Sequence, residues 1–510
     1  MMLTRLGVGG VTAIALATAA PLRAADLPPG PGQDIVNRAC TGCHDSSMFT
    51  SQRKDAAGWT DTVNAMIANG APVPPASVPT VVAYLVQNFG APAAAAGAAP
   101  PRSKNLPPVY VPIPWQRTPG KPIDQRTPER QDNAADFPGQ YRAPYMTANV
   151  QYKTEVITNK LVRPWALQFL PSGKFLITQR MGQMVIVDNQ GKITELKGIP
   201  EVAWEGGQGG LLDVALDPDF RTNHRIYFAF NEPTGPKEGV GRDGAQSRIA
   251  VGRAVLDEAG AALNDLKIIF RSKPTVSITL YPTKQGSRIV FDKAGLMYVS
   301  IGNRDSTRLQ PPPWNVAQDM QTHLGKIIRI TTDGQAAPGN PFIGVPDALP
   351  EIWALGTRSQ EGLAFDSSGR LWETEHGPRG GDELNIISKG KNYGWPLVTH
   401  GIDYPGWMVT TATHKTGLED PRYFWDPNIA PSGLTFYYAD LFPAWKGSLF
   451  VGGLHGGLLD RLTIAGDKVV GEEPLLTELN SRIRDVRVGP EGGLYVLTDD
   501  TNMLVKVTPK

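Results

Sequence analysis

The chain is nearly devoid of cysteine: Cys40 and Cys43 are the only two in 510 residues. That shortage excludes a disulfide framework, so stability has to come from packing and bound ligands. Charge of one sign is lacking too, with 50 Lys and Arg against 49 Asp and Glu. A net charge of +1 gives no electrostatic reason to expect nucleic acid or an anionic membrane as a partner. Past the N-terminus no apolar run is long enough to cross a bilayer, so no transmembrane span is expected. There is no G-x-S-x-G, no H-E-x-x-H and no P-loop. Gly206-Gly-Gln-Gly-Gly210 lacks the later glycine and the helix of a dinucleotide fold. Glycine and proline, in contrast, abound at 55 and 45 residues and demand many turns.

The two cysteines are not scattered. Cys40-Thr41-Gly42-Cys43-His44 spells C-x-x-C-H, the attachment signature of a covalent c-type haem. Two thiols at this spacing can each add across one porphyrin vinyl group, and His44 is then held to bind the iron from one side. Half of a zinc site is the alternative, but no further Cys or His occurs before His224 to complete it. Residues 1–25 agree with export: Arg5, the apolar stretch from Gly7 to Ala20 and small residues near Ala24 read as a signal peptide. An uncleaved anchor competes with this, yet the run is short and diluted with Gly and Thr. A periplasmic or secreted location is therefore expected.

Residues 26–92 read as a small all-α cytochrome c domain, with helices expected from Gly58 to about Ala68 and from Ser77 to Gly90. A buried haem supplies the apolar surface that so short a segment lacks. Met48 stands too close to His44 to reach the far side of the porphyrin, which leaves Met66 as the sixth ligand or as a plain core methionine. Residues 93–145 are a Pro/Ala-rich linker by composition, although the aromatics between Val109 and Gln116 suit packing along a domain surface.

Residues 146–510 repeat themselves. A glycine turn followed by a short β-rich run recurs at Gly173-Lys-Phe-Leu-Ile-Thr178, Gly295-Leu-Met-Tyr-Val-Ser300 and Gly369-Arg-Leu-Trp-Glu-Thr374. It returns at Gly447-Ser-Leu-Phe-Val-Gly452 and Gly493-Leu-Tyr-Val-Leu-Thr498, and a sixth variant runs from Asp219 to Ala229. Six hairpin signals at about 60 residues per unit predict an all-β six-bladed β-propeller rather than a single large barrel.

Several motifs lie on this repeat. They are Gly207-Gln-Gly-Gly-Leu-Leu-Asp213, Asp217-Pro-Asp-Phe220, Gly356-Thr-Arg-Ser-Gln-Glu-Gly362 and the run from Glu375 to Asn385. Lys391-Asn-Tyr-Gly-Trp-Pro396 and Arg482-Ile-Arg-Asp-Val486 complete the set. With them, residues 155–510 resemble the soluble quinoprotein glucose dehydrogenase family, which includes aldose sugar and sorbosone dehydrogenases. Members are six-bladed propellers that use pyrroloquinoline quinone (PQQ) and calcium. The resemblance implies that Arg358, Arg482 and Arg484 bind the anionic cofactor, and guanidinium forks suit its three carboxylates. Arg482 and Arg484, two apart on a strand, share a face; a solvated basic edge is the ordinary alternative. By the same resemblance the backbone carbonyls of Gly377 and Pro378 bind calcium, and Gln208 lines the active site. Asp382, Glu383 and Asn385 either support that calcium loop or cap its turn.

Two departures stand out. Where the family carries its proton-accepting histidine, Thr283-Lys-Gln-Gly-Ser-Arg-Ile289 places Lys284. A lysine is protonated at neutral pH and accepts no proton unless its pKa falls several units. Conversely, His455 stands at a position usually held by a cofactor-binding lysine, and Ser359 replaces the usual Asn beside Arg358. The exchange suggests that Lys284 adds positive charge while His455 or His376 becomes the base. His323 is expected to pack at a strand start, and His224, His400 and His414 to sit in loops. The expected function is oxidation of a sugar, sugar aldehyde or alcohol by PQQ. Electrons would then pass through the chain's own haem to a cytochrome or the respiratory chain. Two alternatives are a ligand-binding or hydrolytic, lactonase-like propeller and a cytochrome carrying a partner-binding propeller.

Overall fold

Each glycine-turn signal marks the bend between the first and second strands of one antiparallel sheet. The computed structural model describes residues 27–40, 56–68, 71, 73–90, 113–204, 208–235, 246–277, 283–304, 316–403 and 408–510. Gly173, Gly295, Gly369 and Gly447 take φ between +75° and +86° at these bends, a conformation that a Cβ would strain. In the second sheet His224 fills the left-handed position with φ of +52°. After the bends run Phe175–Gln179, Arg225–Thr234, Met297–Ile301, Leu371–Glu375, Leu449–Gly453 and Leu494–Thr498. All but the second of these are buried along their whole length. Buried between neighbouring sheets, most of them read as largely apolar runs, while Leu371–Glu375 carries Glu373, Thr374 and Glu375 into the interior.

Six sheets make six blades, as the repeat predicts. Their innermost strands are Pro164–Phe169, Leu211–Leu216, Gly286–Phe291, Gln360–Phe365, Pro431–Phe436 and Ile483–Val488, numbered blades 1 to 6 in that order. Each inner strand touches the next, and the sixth touches the first, so the ring is closed. The outermost strand of blade 6 is Tyr152–Thr158, which pairs antiparallel with the C-terminal strand Leu504–Pro509. This latch joins the two ends of the propeller in one sheet.

In all six blades the pairing of inner and second strand slips near the inner strand's start, at Pro164/Ala166, Leu211/Val214, Gly286/Ile289, Gln360/Gly362, Pro431/Leu434 and Ile483/Asp485. A bulge there re-aims the first residues of the strand. Six such starts surround one mouth of the ring.

Of the segment expected as a linker, residues 113–145 lie along blades 4 and 5. Trp115 and Ile123 enter a cluster with Trp372, Tyr423, Trp425 and Phe436. The Trp115 indole donates to the Gly456 carbonyl (3.0 Å), and the Tyr141 hydroxyl donates to the Asp426 carbonyl (2.7 Å). Buried aromatics outweigh a Pro-rich composition here, and the segment acts as a strap.

Ahead of the strap, helices Gln33–Cys40, Ala56–Ala68 and Val78–Phe89 pack around Val36, Trp59, Val63, Val81, Tyr84, Leu85 and Phe89. The Trp59 indole donates to the Phe89 carbonyl (3.1 Å), closing the second helix on the third. Both expected helices are present, and Met66 lies half-buried on the second. Cys43, His44 and the side chain of Cys40 lie outside the described residues, as does the expected signal segment. Among the described residues no helix is long and apolar enough to cross a membrane.

Candidate active site

The bulged strand starts bring the expected residues together. Arg163, Gln208, Lys284, Arg358 and Arg482 each precede an inner strand by one to three residues, in blades 1, 2, 3, 4 and 6. Lys284 is buried in a left-handed conformation (φ +56°), and its backbone N–H donates to Gln208 Oε1 at 2.7 Å. Gln208 and the residue at the base position are therefore direct neighbours.

Arg358 is buried against the ring of Trp395, its guanidinium carbon 5.1 Å from the centroid. Its Nη1 donates to the carbonyls of His376 (2.8 Å) and Gly377 (2.7 Å), and its backbone N–H donates to the Glu375 carboxylate. Arg482 and Arg484 share Asp499, at 3.5 and 3.6 Å, and Arg180 approaches the same carboxylate at 3.3 Å. Arg484 also reaches Glu361 at 3.1 Å. Burial alone would raise the Asp499 carboxyl; Arg180, Arg484, Arg482 and Arg163 outweigh it and hold the group well below the usual carboxylate range. Four guanidiniums around one carboxylate leave an excess of positive charge that invites an anion. Below them Arg288 fills the axis, 3.0 Å from Asp485 and 3.6 Å from Asp213, with its guanidinium over Trp165 at 4.1 Å.

His376 lies within the field of all three expected arginines. Burial, then Arg358, Arg484 and Arg482, push its pKa down to about 3, so the ring is neutral. Its Nε2 sits 2.8 Å from the Pro431 carbonyl, which can only accept. Nε2 therefore carries the proton, and Nδ1 keeps a bare lone pair. His455 differs. Its side chain is exposed, and its Nε2 stands 3.5 Å from Arg126 Nη1 of the strap. Surrounding protein, Arg126 and Arg482 lower its pKa to about 4, although solvent reaches its outer face.

The loop after His376 is tight. A Cβ on Gly377 would come closer than 3.0 Å to the carbonyl oxygens of Gly380 and Gly381, so only glycine fits. The Gly377 N–H donates to Asp382 Oδ1 (2.8 Å), while Asp382 Oδ2 accepts from the N–H groups of Ile429 (2.8 Å) and Ala430 (2.7 Å). Asp382 thus supports the loop and ties it to blade 5. Glu383 and Asn385 do not: Asn385 Nδ2 bridges Glu373 and Glu383 within the blade, both at 3.2 Å. The Gly377 carbonyl keeps one lone pair beyond its bond from Arg358.

Among the remaining histidines, His323 packs at a strand start as expected, its Nδ1 accepting from the Lys273 N–H at 3.0 Å. His400 does not behave as an ordinary loop histidine, since it is fully buried. Arg163, Arg180 and Asp499 were not legible as site residues, whereas Glu361 and Trp395 were marked only as members of the Gly356–Gly362 and Lys391–Pro396 motifs. Arg163, one residue before an inner strand like Arg482, carried the only positional signal. A hydrolytic site needs acidic and Asn side chains converging on a metal at the mouth. Here Glu361 and Asp499 are taken up by arginines.

The family description Glucose / Sorbosone dehydrogenase matches residues 161–506. Aldose sugar dehydrogenase YliI of Escherichia coli is 41% identical over 362 residues, covering 70% of this chain and 92% of the relative. Quinoprotein glucose dehydrogenase B of Acinetobacter calcoaceticus is 26% identical over 431 residues, 70% of this chain and 87% of that protein. The apo crystal structure of the soluble E. coli aldose sugar dehydrogenase is 40% identical with a TM-score of 0.65, spanning 70% of this chain and all of that one. The PQQ-bound aldose sugar dehydrogenase of Streptomyces coelicolor is 28% identical with a TM-score of 0.56, covering 71% of this chain and 99% of its own.

Proposed function

Because the chain belongs to the glucose/sorbosone dehydrogenase family, we propose that it is an exported quinohaemoprotein dehydrogenase acting on a sugar, sugar aldehyde or alcohol. The cofactors of this reading are PQQ, calcium and the chain's own c-type haem, with a cytochrome or the respiratory chain as downstream acceptor. The observation that carries it is the cationic mouth, where Arg163, Arg180, Arg482 and Arg484 face a single carboxylate, Asp499. The buried Nε of Arg358 also has no hydrogen-bond acceptor among the described residues. Unanswered donors of this kind fit a flat ring with three carboxylates.

PQQ, when bound, supplies the two-electron acceptor for the hydride that leaves the substrate carbon. The protein's own work is to bind, to polarise and to move a proton. Arg358, Arg482 and Arg484 hold the carboxylates, and Lys284 beside Gln208 adds positive charge. The carbonyls of Gly377 and Pro378 offer the hard oxygen donors that calcium takes. His376 receives the substrate's hydroxyl proton at Nδ1, because its Nε2 is engaged by Pro431 and its depressed pKa keeps it neutral. His455, with Arg126 at its Nε2, is the less suited of the two histidines. At the N-terminus, C-x-x-C-H and Met66 hold the haem.

The test is reconstitution of the purified protein with PQQ and Ca²⁺, followed by a panel of aldoses and alcohols. Reduction of the haem, seen in its α-band, is the expected outcome. A protein that takes up no PQQ and reduces no haem across the panel overturns the reading.

A further inference from the structure

His400 has no part in the chemistry above, yet it is held with care. It is 1% exposed, and its ring stacks on Phe424 with centroids 3.8 Å apart and planes 11° from parallel. Its Nδ1 lies 2.9 Å from Asn133 Oδ1 of the strap. The Asn133 amide cannot be turned round, because its Nδ2 donates to the His400 carbonyl (2.7 Å) and to Asp426 Oδ2 (2.8 Å). Asn133 Oδ1 is therefore an acceptor, Nδ1 of His400 carries the proton, and Nε2 is a bare lone pair.

That Nε2 is buried with no hydrogen-bond partner among the described residues, and Asp136 Oδ2 stands 4.0 Å away. Two acceptors facing each other across such a gap repel unless positive charge lies between them. Arg130 does not fill that role: it pairs with Asp132 at 3.0 Å and donates to the carbonyls of Thr399 and Thr411. Around Asp136, one ligand atom each from Asp136, His414 and Asp420 falls within 4.8 Å of the other two. His414 Nδ1 lies 2.8 and 2.9 Å from the two carboxylate oxygens of Asp420.

We propose that a divalent transition metal of the zinc class binds Asp136, His414 and Asp420, whose ligand atoms lie within 4.8 Å of one another, and draws in His400 Nε2 from its place 4.0 Å from Asp136, clipping the strap to blade 4. Two imidazoles with two carboxylates are a borderline-soft donor set of the kind zinc takes, at bond lengths of about 2.0–2.1 Å. Tetrahedral bonds of that length set two ligand atoms about 3.4 Å apart, so the 4.0 Å between His400 Nε2 and Asp136 Oδ2 closes by roughly half an ångström when the ion binds. The Nδ1–H bond to Asn133 is the outer contact that commonly fixes the tautomer of a ligating histidine. The clip bears on the active site through the backbone: Arg379, just past Gly377 and Pro378, exchanges hydrogen bonds of 3.0 and 2.9 Å with Ile402.

The test uses the full-length protein and the double variant Asp136→Asn/His414→Ala, both altered side chains being open to solvent in part. After treatment with a chelator and titration with Zn²⁺, zinc per chain is counted by elemental analysis and thermal unfolding is followed with and without the metal. Expected is one zinc per wild-type chain with a raised Tm, and at least tenfold weaker retention with no Tm response in the variant. Zinc no higher than in the chelated blank would mean that a water or bare ion pairs serve at this place, and would overturn the proposal. Equal retention by the variant would overturn it too, by assigning the zinc to other residues such as C-x-x-C-H.

Discussion

At the scale of single residues, the chemistry turns on which side chain can take a proton. His376 is held neutral by burial and three arginines, with a pKa near 3. A base must be unprotonated, so the protonated fraction at pH 5 is only about 1%. The rate profile of kcat/KM is therefore expected to stay flat from pH 7.5 down to 5, whereas a lysine base would give activity that climbs with pH. Substituting His376→Gln should lower kcat by about 10²–10⁴-fold while PQQ uptake persists. Wild-type turnover in that variant would remove His376 from the role. Lys284→His restores a family-like base beside Gln208, and a gain in turnover would identify the native lysine as an electrostatic rather than proton-accepting residue. The expected arginines were legible because they sit in motifs. Arg163, Arg180 and Asp499 were not, since each is an ordinary charged residue until ring closure brings three separate strands to one point.

Among the elements, the second strands were the easiest to read and the inner strands the hardest. Leu449–Gly453 is apolar from end to end because sheets cover both its faces. The inner strands instead carry Asp213, Arg288, Glu361 and Asp485, which are buried and paired across the axis and so look like surface residues in a sequence. Helix boundaries in the N-terminal unit fell within two residues of expectation, as Ala56–Ala68 and Val78–Phe89 show. The loop from His376 to Gly381 is the element most exposed to a single change. Gly377→Ala pushes a methyl group against two carbonyls and should destabilise the protein by about 2–4 kcal/mol. Calcium and PQQ retention should fall with it. Unchanged Tm and unchanged retention would show that the loop yields more easily than its packing suggests.

Across the whole molecule, the strap extends the expected packing of the aromatics between Val109 and Gln116 along a domain surface. Composition marked residues 93–145 as a linker, but Trp115, Ile123 and Tyr141 give residues 113–145 a docked path over blades 4 and 5. Individually spaced aromatics escape a compositional reading because only their partners, Trp372, Tyr423 and Trp425, explain them. Trp115→Ala should cost about 3–5 kcal/mol if the cavity left at Gly456 stays open. Denaturant unfolding of the full chain checks this, and a loss below about 1 kcal/mol would mean that the strap is held elsewhere.

The pairing of Tyr152–Thr158 with Leu504–Pro509 sets a schedule for the protein's birth. Five blades can form while Tyr152–Thr158 waits with an open edge, since its partner Leu504–Pro509 follows all five in the chain. Cutting the chain before Leu504 therefore removes more than a tail. It strands both ends at once and leaves the arginine-lined mouth without the circle that assembles it.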